Sequence, residues 1–344
     1  MRILFVGGTG LLSGAASVAV LEAGHELFLL NPNLGEANFA EAHRPAQVLR
    51  ADAHIESEVR AATAGLDFDV VVQWIGYRPD LIARDLRVFR GIGQYVFIST
   101  TAVYEKPPST WLVSERTPIT NRSWGYATDK AACEELLMAA YEENGFPATV
   151  IRPALTYGAS QIPVPVGSWE KPYTIVDRMR RGAPVIIPGD GTAIYTITHN
   201  SDFARGLLAL LGRADAIGED FHITSDEALS WNQVYDLIAK AAGVSPSVVH
   251  VPTAGIVASS PELRGGLWGN LSWSAVFDNS KLRRLAPDFE ALVPFSEGIR
   301  RTVAWFDADA RRREIDWLAN RRWDALAAVY RAALAAARDA GAGL

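Results

Sequence analysis

The architecture predicted by this sequence is α/β: a doubly wound parallel sheet between two layers of helices, with a smaller C-terminal lobe. Three observations predict it. The chain opens on a short apolar run, Arg2 to Val6, that breaks at once into Gly7-Gly-Thr-Gly10. Strand-like runs then alternate with helical stretches, at Val70 to Gln73, Tyr95 to Ser99 and Thr149 to Ile151. That alternation implies parallel pairing through right-handed crossovers. The length of 344 residues and the 49% hydrophobic content suffice for one large core and a second lobe.

The opening segment reads strand, glycine turn, helix to Ala23, a stop at Gly24-His25, and a second strand from Glu26 to Leu30. Small residues at such a turn let the backbone approach a pyrophosphate, whose charge rests on amides at the helix N-terminus. Gly7, Thr9, Gly10, Leu11 and Leu12 are therefore candidate nucleotide-binding residues on a Rossmann-type sheet. Ser13 stands where a third glycine is often found, which slightly alters the close contact of helix and strand. The second strand ends at Asn31. A carboxylate there would hold the ribose hydroxyls of NAD, and an arginine would accept the phosphate of NADP. Asn31 is neither, and the nearest arginine, Arg44, lies in a loop. Asp52, after a third strand from Val48 to Ala51, is a candidate either to accept a hydrogen bond from adenine or to cap a helix. The cofactor expected is NAD or NADP.

Tyr126 and Lys130 fall in the run Trp124-Gly-Tyr-Ala-Thr-Asp-Lys130. On a helix they lie one turn apart on the same face. A lysine ammonium so placed favours the phenolate and lowers the phenol's pKa. A phenol tuned in this way exchanges a proton with an alcohol or carbonyl near neutral pH.

These segments resemble the short-chain dehydrogenase/reductase superfamily, in its extended or atypical branch of NAD-dependent epimerase/dehydratase-like proteins. The resemblance rests on Gly7-Gly-Thr-Gly10, Tyr95-Val-Phe-Ile-Ser-Thr-Thr-Ala-Val-Tyr104, Tyr126-x-x-x-Lys130, Arg152-Pro-Ala-Leu-Thr-Tyr-Gly158, Pro188-Gly-Asp-Gly191 and His199-Asn-Ser-Asp-Phe-Ala204. They stand in the family's order across roughly residues 1 to 305. The chain is also similar to the chloroplast stem-loop RNA-binding proteins. The resemblance implies a catalytic set of Thr100, Tyr126 and Lys130. Thr100, with Ser99 and Thr101 as alternatives, would orient the reacting oxygen. Lys130 would also bind the nicotinamide ribose.

Three positions depart from the sugar-nucleotide enzymes of that family. Thr101 and Ala102 replace the Asp-Glu pair that 4,6-dehydratases use for water elimination, so that route is not expected. Thr156 stands where many relatives place an asparagine that touches the substrate diphosphate. Tyr195 stands where relatives often place an arginine that clamps it, and a phenol is a poor substitute for a bidentate guanidinium. A smaller or free sugar, a glycoside or another carbonyl compound fits better. Arg178, Arg180 and Arg181 are read as a basic helix end. Trp74, Trp124 and Trp169 are expected near the cleft, where indoles suit the apolar faces of sugars. With Thr101, Tyr157 and Tyr195 they form the expected substrate set.

His199 has no partners at metal-ligand spacing and is read as a hydrogen-bonded structural histidine. Asp202 with Ser201 is expected to cap the following helix. Cys133, the only cysteine, reads as a buried small hydrophobe. A single cysteine, no apolar run near the ~20 residues of a membrane helix, and no secretory start point to a soluble cytoplasmic protein. The net charge of −6 argues against general nucleic-acid binding.

The expected domains are a nucleotide-binding unit of 1–160 plus 185–225, a substrate lobe of 161–184 plus 226–306, and a helical extension of 307–344. The expected activity is an NAD(P)-dependent oxidoreductase or epimerase acting on a hydroxyl or keto carbon of a sugar-like small molecule. A homodimer is expected by analogy. The alternative is a non-catalytic RNA-binding or regulatory protein on the same fold.

Overall fold

The computed structural model describes residues 1–33 and 45–342, so Arg44 lies outside the described residues. Strand β1 (Arg2–Val6) runs into the glycine turn and helix α1 (Leu11–Glu22). Gly24, at φ +79°, takes the left-handed conformation that turns the chain into β2 (Glu26–Leu30). β3 (Gln47–Leu49) starts one residue earlier and ends two earlier than the sequence predicts. Then come α2 (Glu56–Thr63), β4 (Val70–Gln73), α3 (Pro79–Val88), β5 (Gln94–Ile98), β6 (Leu112–Val113), α4 (Gly125–Asn144) and β7 (Ala148–Pro153). Pro79 starts α3 at its first turn, where its missing N–H costs nothing.

The chain continues through β8 (Leu155–Tyr157), α5 (Thr174–Arg180), β9 (Pro184–Pro188), β10 (Ile194–His199), α6 (Asn200–Leu208) and β11 (Glu219–Ile223). The central sheet has seven strands in the order β3-β2-β1-β4-β5-β7-β11, all parallel. The order reverses between β1 and β4, which opens a crevice at their carboxyl ends. Alternate residues of β1 serve two cores: Ile3 and Phe5 join Leu27, Val70 and Phe203, while Leu4 and Val6 join Phe28, Val71 and Leu137. Burial on both faces explains why the strands read as unbroken apolar runs.

The second lobe adds β12 (Ala228–Ser230), α7 (Trp231–Ala242), β13 (Ser247–Val251), α8 (Thr253–Ser259), α9 (Arg264–Gly266), β14 (Val276–Phe277), α10 (Ser280–Leu285), α11 (Phe295–Asp307) and α12 (Trp317–Ala342). Helix α9 continues directly into a π-helical turn, Leu267–Leu271. Residues 185–225 do not all return to the sheet. β9 pairs with β13, and β10 joins β8 and β12; only β11 reaches the central sheet, with α6 packed beside α1. Conversely α10, from the stretch expected in the lobe, packs against β11.

Arg178 and Arg180 stand in the last turn of α5 and Arg181 at its cap, the basic helix end expected, but the first two are also built into the packing. Arg178 is fully buried and donates to the Pro184 carbonyl, to Asn320 Oδ1 at 2.7 Å and to Asp324 at 2.6 Å. Arg180 forms a two-pronged pair with Asp307. Arg181 pairs with Asp177 one turn back. The first two tie α5 to the C-terminal helices, whose Trp323, Leu326 and Ala327 are part of the lobe's core. No described helix is long and apolar enough to cross a membrane. Removing Arg178 leaves buried acceptors without a donor. Arg178→Ala is therefore expected to lower the unfolding free energy by about 3 kcal/mol, read as a fall in Tm relative to the Arg181→Ala variant, which loses only a surface pair.

Candidate active site

A cleft of about 560 Å³ lies at the carboxyl ends of the central strands. It gathers most of the residues the sequence singles out: Gly7, Thr9, Gly10, Leu11, Leu12, Asn31, Asp52, Trp74, Thr100, Tyr126, Lys130 and Trp169. Gly7 and Gly8 have φ of +101° and +116°, and a methyl group on Gly8 would meet a Leu29 methyl at 2.6 Å. Both positions therefore require glycine. Ser13, in place of a third glycine, is buried and accepts a hydrogen bond from the Gly10 N–H at 2.8 Å. Ser17 then donates to the Gly8 carbonyl at 3.2 Å, so hydroxyls of α1 hold the turn to the helix.

At the other end of the cleft, the Asn31 Oδ1 accepts from the Asn33 N–H at 3.0 Å. The Asp52 carboxylate accepts from the His54 N–H at 2.8 Å, and α2 begins beyond it with Ile55 at its cap. Asp52 is thus a turn-forming residue on the cleft wall and not a helix cap. His54, Tyr77 and Thr156 also line the cleft. Of these, Thr156 was marked in the sequence only as a departure from the family, and His54 and Tyr77 not at all. Tyr77 could have been found, since it follows β4 at the edge where doubly wound folds bind ligands; nothing in the sequence marks His54.

Helix α4 begins at Gly125, with Trp124 as its N-terminal flanking residue, so Tyr126 sits in the first turn and Lys130 one turn on. Thr100 stands just past β5, its Oγ1 accepting from the Ala102 N–H at 3.2 Å. The Thr100 hydroxyl and the Tyr126 phenol line the same cleft, and the hydroxyl is near enough to favour the phenolate. Lys130 does not act on that phenol as expected. Its ammonium is buried, donates to the Ile98 carbonyl at 2.7 Å, and lies 5.0 and 4.7 Å from the ring centroids of Tyr77 and Phe97. Burial brings Lys130 down to about 8. Tyr126 is pushed up to about 12, first by burial and then by the neighbouring Tyr77, with the Thr100 hydroxyl acting in the opposite direction. Desolvation, the largest of these influences, sets the direction.

Four expected substrate contacts do not line the cleft. Thr101 is buried in the short 3₁₀ turn after Thr100. Tyr157 is fully buried, its ring 5.1 Å from both His199 and Phe295. Tyr195 stacks on Trp231 at 5.7 Å and donates to Asn270 Oδ1 at 2.6 Å, inside the core of the second lobe. Trp124 packs between Tyr126 and the second lobe. In each case an aromatic or β-branched residue beside the site serves packing. Trp74 and Trp169 do line the cleft; Trp169 is 57% exposed at its rim, while Trp74 is mostly buried against Phe5 and Phe203.

Helix α6 is capped by His199, whose Nδ1 accepts from the Ser201 N–H, rather than by Asp202. Asp202 instead accepts from the Leu292 and Val293 amides, pinning the approach to α11. Cys133 is buried and its thiol is pushed up to about 12. Among the described residues, no cluster of His, Cys, Asp and Glu could hold a metal ion.

A buried polar network supports the strand end that carries Thr100. Ser99 donates to Glu134, Arg152 grips the same carboxylate at 2.7 Å and donates to the Tyr104 hydroxyl at 2.8 Å, and Tyr104 meets His222 Nε2 at 2.6 Å. Burial and the Arg152 charge bring His222 down to about 3. A second network, Tyr95–Asp85–Gln73, holds the Ile75 amide on the cleft wall, and Arg84 donates to the Ala53 carbonyl on the opposite wall.

Residues 3–224 match the NAD dependent epimerase/dehydratase family. The chain belongs to that family. It is 27% identical over 292 residues to a 2'-dehydrokanamycin reductase of Streptomyces kanamyceticus, covering 84% of this chain and 80% of that protein. It is 26% identical over 261 residues to the chloroplast stem-loop binding protein of 41 kDa b of Arabidopsis thaliana, covering 72% of this chain and 65% of the relative. A dTDP-glucose 4,6-dehydratase from Bacillus anthracis, solved in complex with NAD, superposes with a TM-score of 0.74 at 19% identity, over 90% of this chain and 98% of that one. The fold is thus the family's Rossmann fold, and the family's cofactor is a nicotinamide dinucleotide. The cleft fits such a group: its volume suits an elongated ligand, and Gly7 and Gly8 keep the backbone beside α1 bare of side chains.

Gly8→Ala would place a methyl group against Leu29 in a left-handed backbone. NADH binding to this variant is expected to weaken by about 5- to 150-fold in a fluorescence titration, from ~1–3 kcal/mol of strain. His222 gives a pH signature. Its folded pKa of about 3 lies below the ordinary 6.5, so between these values the unfolded chain binds a proton that the folded one does not. Stability is therefore expected to fall as pH drops from 6.5 towards 3, by up to ~1.4 kcal/mol per pH unit from this group. Urea unfolding of His222→Gln should show a shallower fall over that window.

Proposed function

We propose that this protein is an NAD(P)-dependent oxidoreductase of a sugar or sugar-like substrate, working on a hydroxyl or keto carbon through Thr100, Tyr126 and Lys130. The observation that carries the proposal is that Thr100, Tyr126 and Lys130 line the same cleft as the glycine turn, with the Thr100 hydroxyl near enough to the phenol to favour its anion. Bound there, the nicotinamide supplies or accepts a hydride. The chain's residues supply the rest. Thr100 orients the reacting oxygen, and Tyr126 exchanges a proton with it. Lys130, its ammonium held at the Ile98 carbonyl, binds the nicotinamide ribose. Gly7, Thr9, Gly10, Leu11 and Leu12 receive the pyrophosphate, with Asn31 and Asp52 towards the adenosine.

A phenol held at about 12 is protonated at neutral pH. In that state it donates a proton, which suits reduction of a carbonyl, and the relative named as a dehydrokanamycin reductase supports the same direction. Two observations favour a substrate without a diphosphate. No arginine is among the described residues that line the cleft, and Tyr195 is held in the lobe core by Trp231 and Asn270. Burial of Thr101 and Ala102 disfavours 4,6-dehydration, because neither offers an acid or base to the cleft.

Tyr126→Phe keeps the ring and removes only the ionisable oxygen. It is expected to lower turnover by about 10²–10⁴-fold while NADH affinity stays unchanged. Turnover that survives in this variant would overturn the assignment. Mass spectrometry of the nucleotide released from the purified chain by denaturation checks the cofactor: stoichiometric NAD(H) or NADP(H) supports the proposal, and failure of both to bind refutes it.

A further inference from the structure

Trp124 is absent from the cleft lining, yet its ring lies 4.8 Å from that of Tyr126. The second lobe receives the indole. Gly265 in α9 and Gly269 in the π-helical turn come against it: a methyl on Gly265 would sit 2.6 Å from Trp124 Nε1, and one on Gly269 would sit 2.6 Å from Trp124 Cβ. Neither glycine has a left-handed backbone, so conformation does not explain them. Alanine is the better helix former. What excludes it here is the indole. Gly266, between them, faces open space. Asn121 secures the same contact by donating to the Gly269 carbonyl at 2.7 Å and to the Ala102 carbonyl at 2.6 Å, in the turn that follows Thr100. Across from Trp124, the Tyr77 ring stands 6.4 Å from Tyr126 and beneath the Lys130 ammonium.

We propose that Trp124, seated in the groove made by Gly265 and Gly269, is a positioning residue through which the second lobe sets the Tyr126 phenol against Thr100. The proposal rests on the acid/base role given to Tyr126 above. The lobe then does more than cover the cleft. Its glycine face decides where the indole stands, and the indole decides one side of the phenol's berth. A π-helical turn at the contact fits this role, because such turns widen a helix locally and recur at functional sites.

The test uses the full chain labelled with 3-fluorotyrosine and read by ¹⁹F NMR, with the Tyr126 resonance identified by its loss in Tyr126→Phe. Gly265→Ala and Gly269→Ala are each expected to displace that resonance, while Gly266→Ala leaves it in place. NADH affinity should change by less than about twofold in all three, since no altered atom touches the cleft. In a Trp124→Ala background the Gly265→Ala methyl has room, so it should shift nothing further. Should Gly265→Ala alone fail to fold, the double variant is expected to recover the fold. An unmoved Tyr126 resonance in both glycine variants would overturn the proposal. So would an equal shift from Gly265→Ala with and without Trp124, or a double variant that stays unfolded. The resonance reads the coupling without turnover, whereas the acid/base role is read from turnover of Tyr126→Phe, so the two failures are distinguishable.

Discussion

Burial of a parallel sheet on both faces is the constraint from which the rest of this molecule follows. Helices cover both sides of β1, β4 and β5, and their residues are spent on two cores. Only the strand ends remain open. The reversal of order between β1 and β4 leaves one place where neighbouring crossovers part. The glycine turn, Trp74 and Thr100 all reach that place because each follows within two residues of a strand's end. Chemistry here is a property of where strands stop.

The same burial dictates how charge is handled. Glu134 and Arg152 are both nearly inaccessible, and each is satisfied by several partners rather than by one. Leaving either unmatched in the interior would be costly, so the pair comes with Ser99, Tyr104, Asp220 and His222 attached. That network stiffens the end of β5. Lys130, in contrast, donates to the Ile98 carbonyl and lies against the Phe97 ring, with the Glu134 carboxylate favouring its charge from further off. Burial works against that charge, and the ammonium lines the cleft.

Most of the sheet was legible in the sequence because strands buried on both faces leave continuous apolar runs, and β4 matches its expected limits residue for residue. The glycine turn was legible because positive φ and close approach leave glycine as the residue that fits. The second lobe was less so. β9 and β10 are as apolar as the central strands, and nothing local says that they pair with β13 and β8 instead. Aromatic residues were misplaced for a related reason. Tyr157, Tyr195 and Trp124 lie near the site in sequence, but whether a ring faces a cleft or a core depends on partners far along the chain, such as Phe295, Asn270 and Gly265. Arg178 deceived in the same way, since its acceptors at Asn320 and Asp324 belong to the last helix.

The sheet order also bears on how the chain is made. β11, which completes the sheet beside β7, arrives only after β8, β9 and β10 have been spelled out. A nascent chain leaving the ribosome therefore holds six strands with an open edge while the beginning of the second lobe emerges. An unpaired, apolar edge at β7 is a template for wrong partners. The seven-stranded sheet is therefore completed only once residues 219–223 have been made.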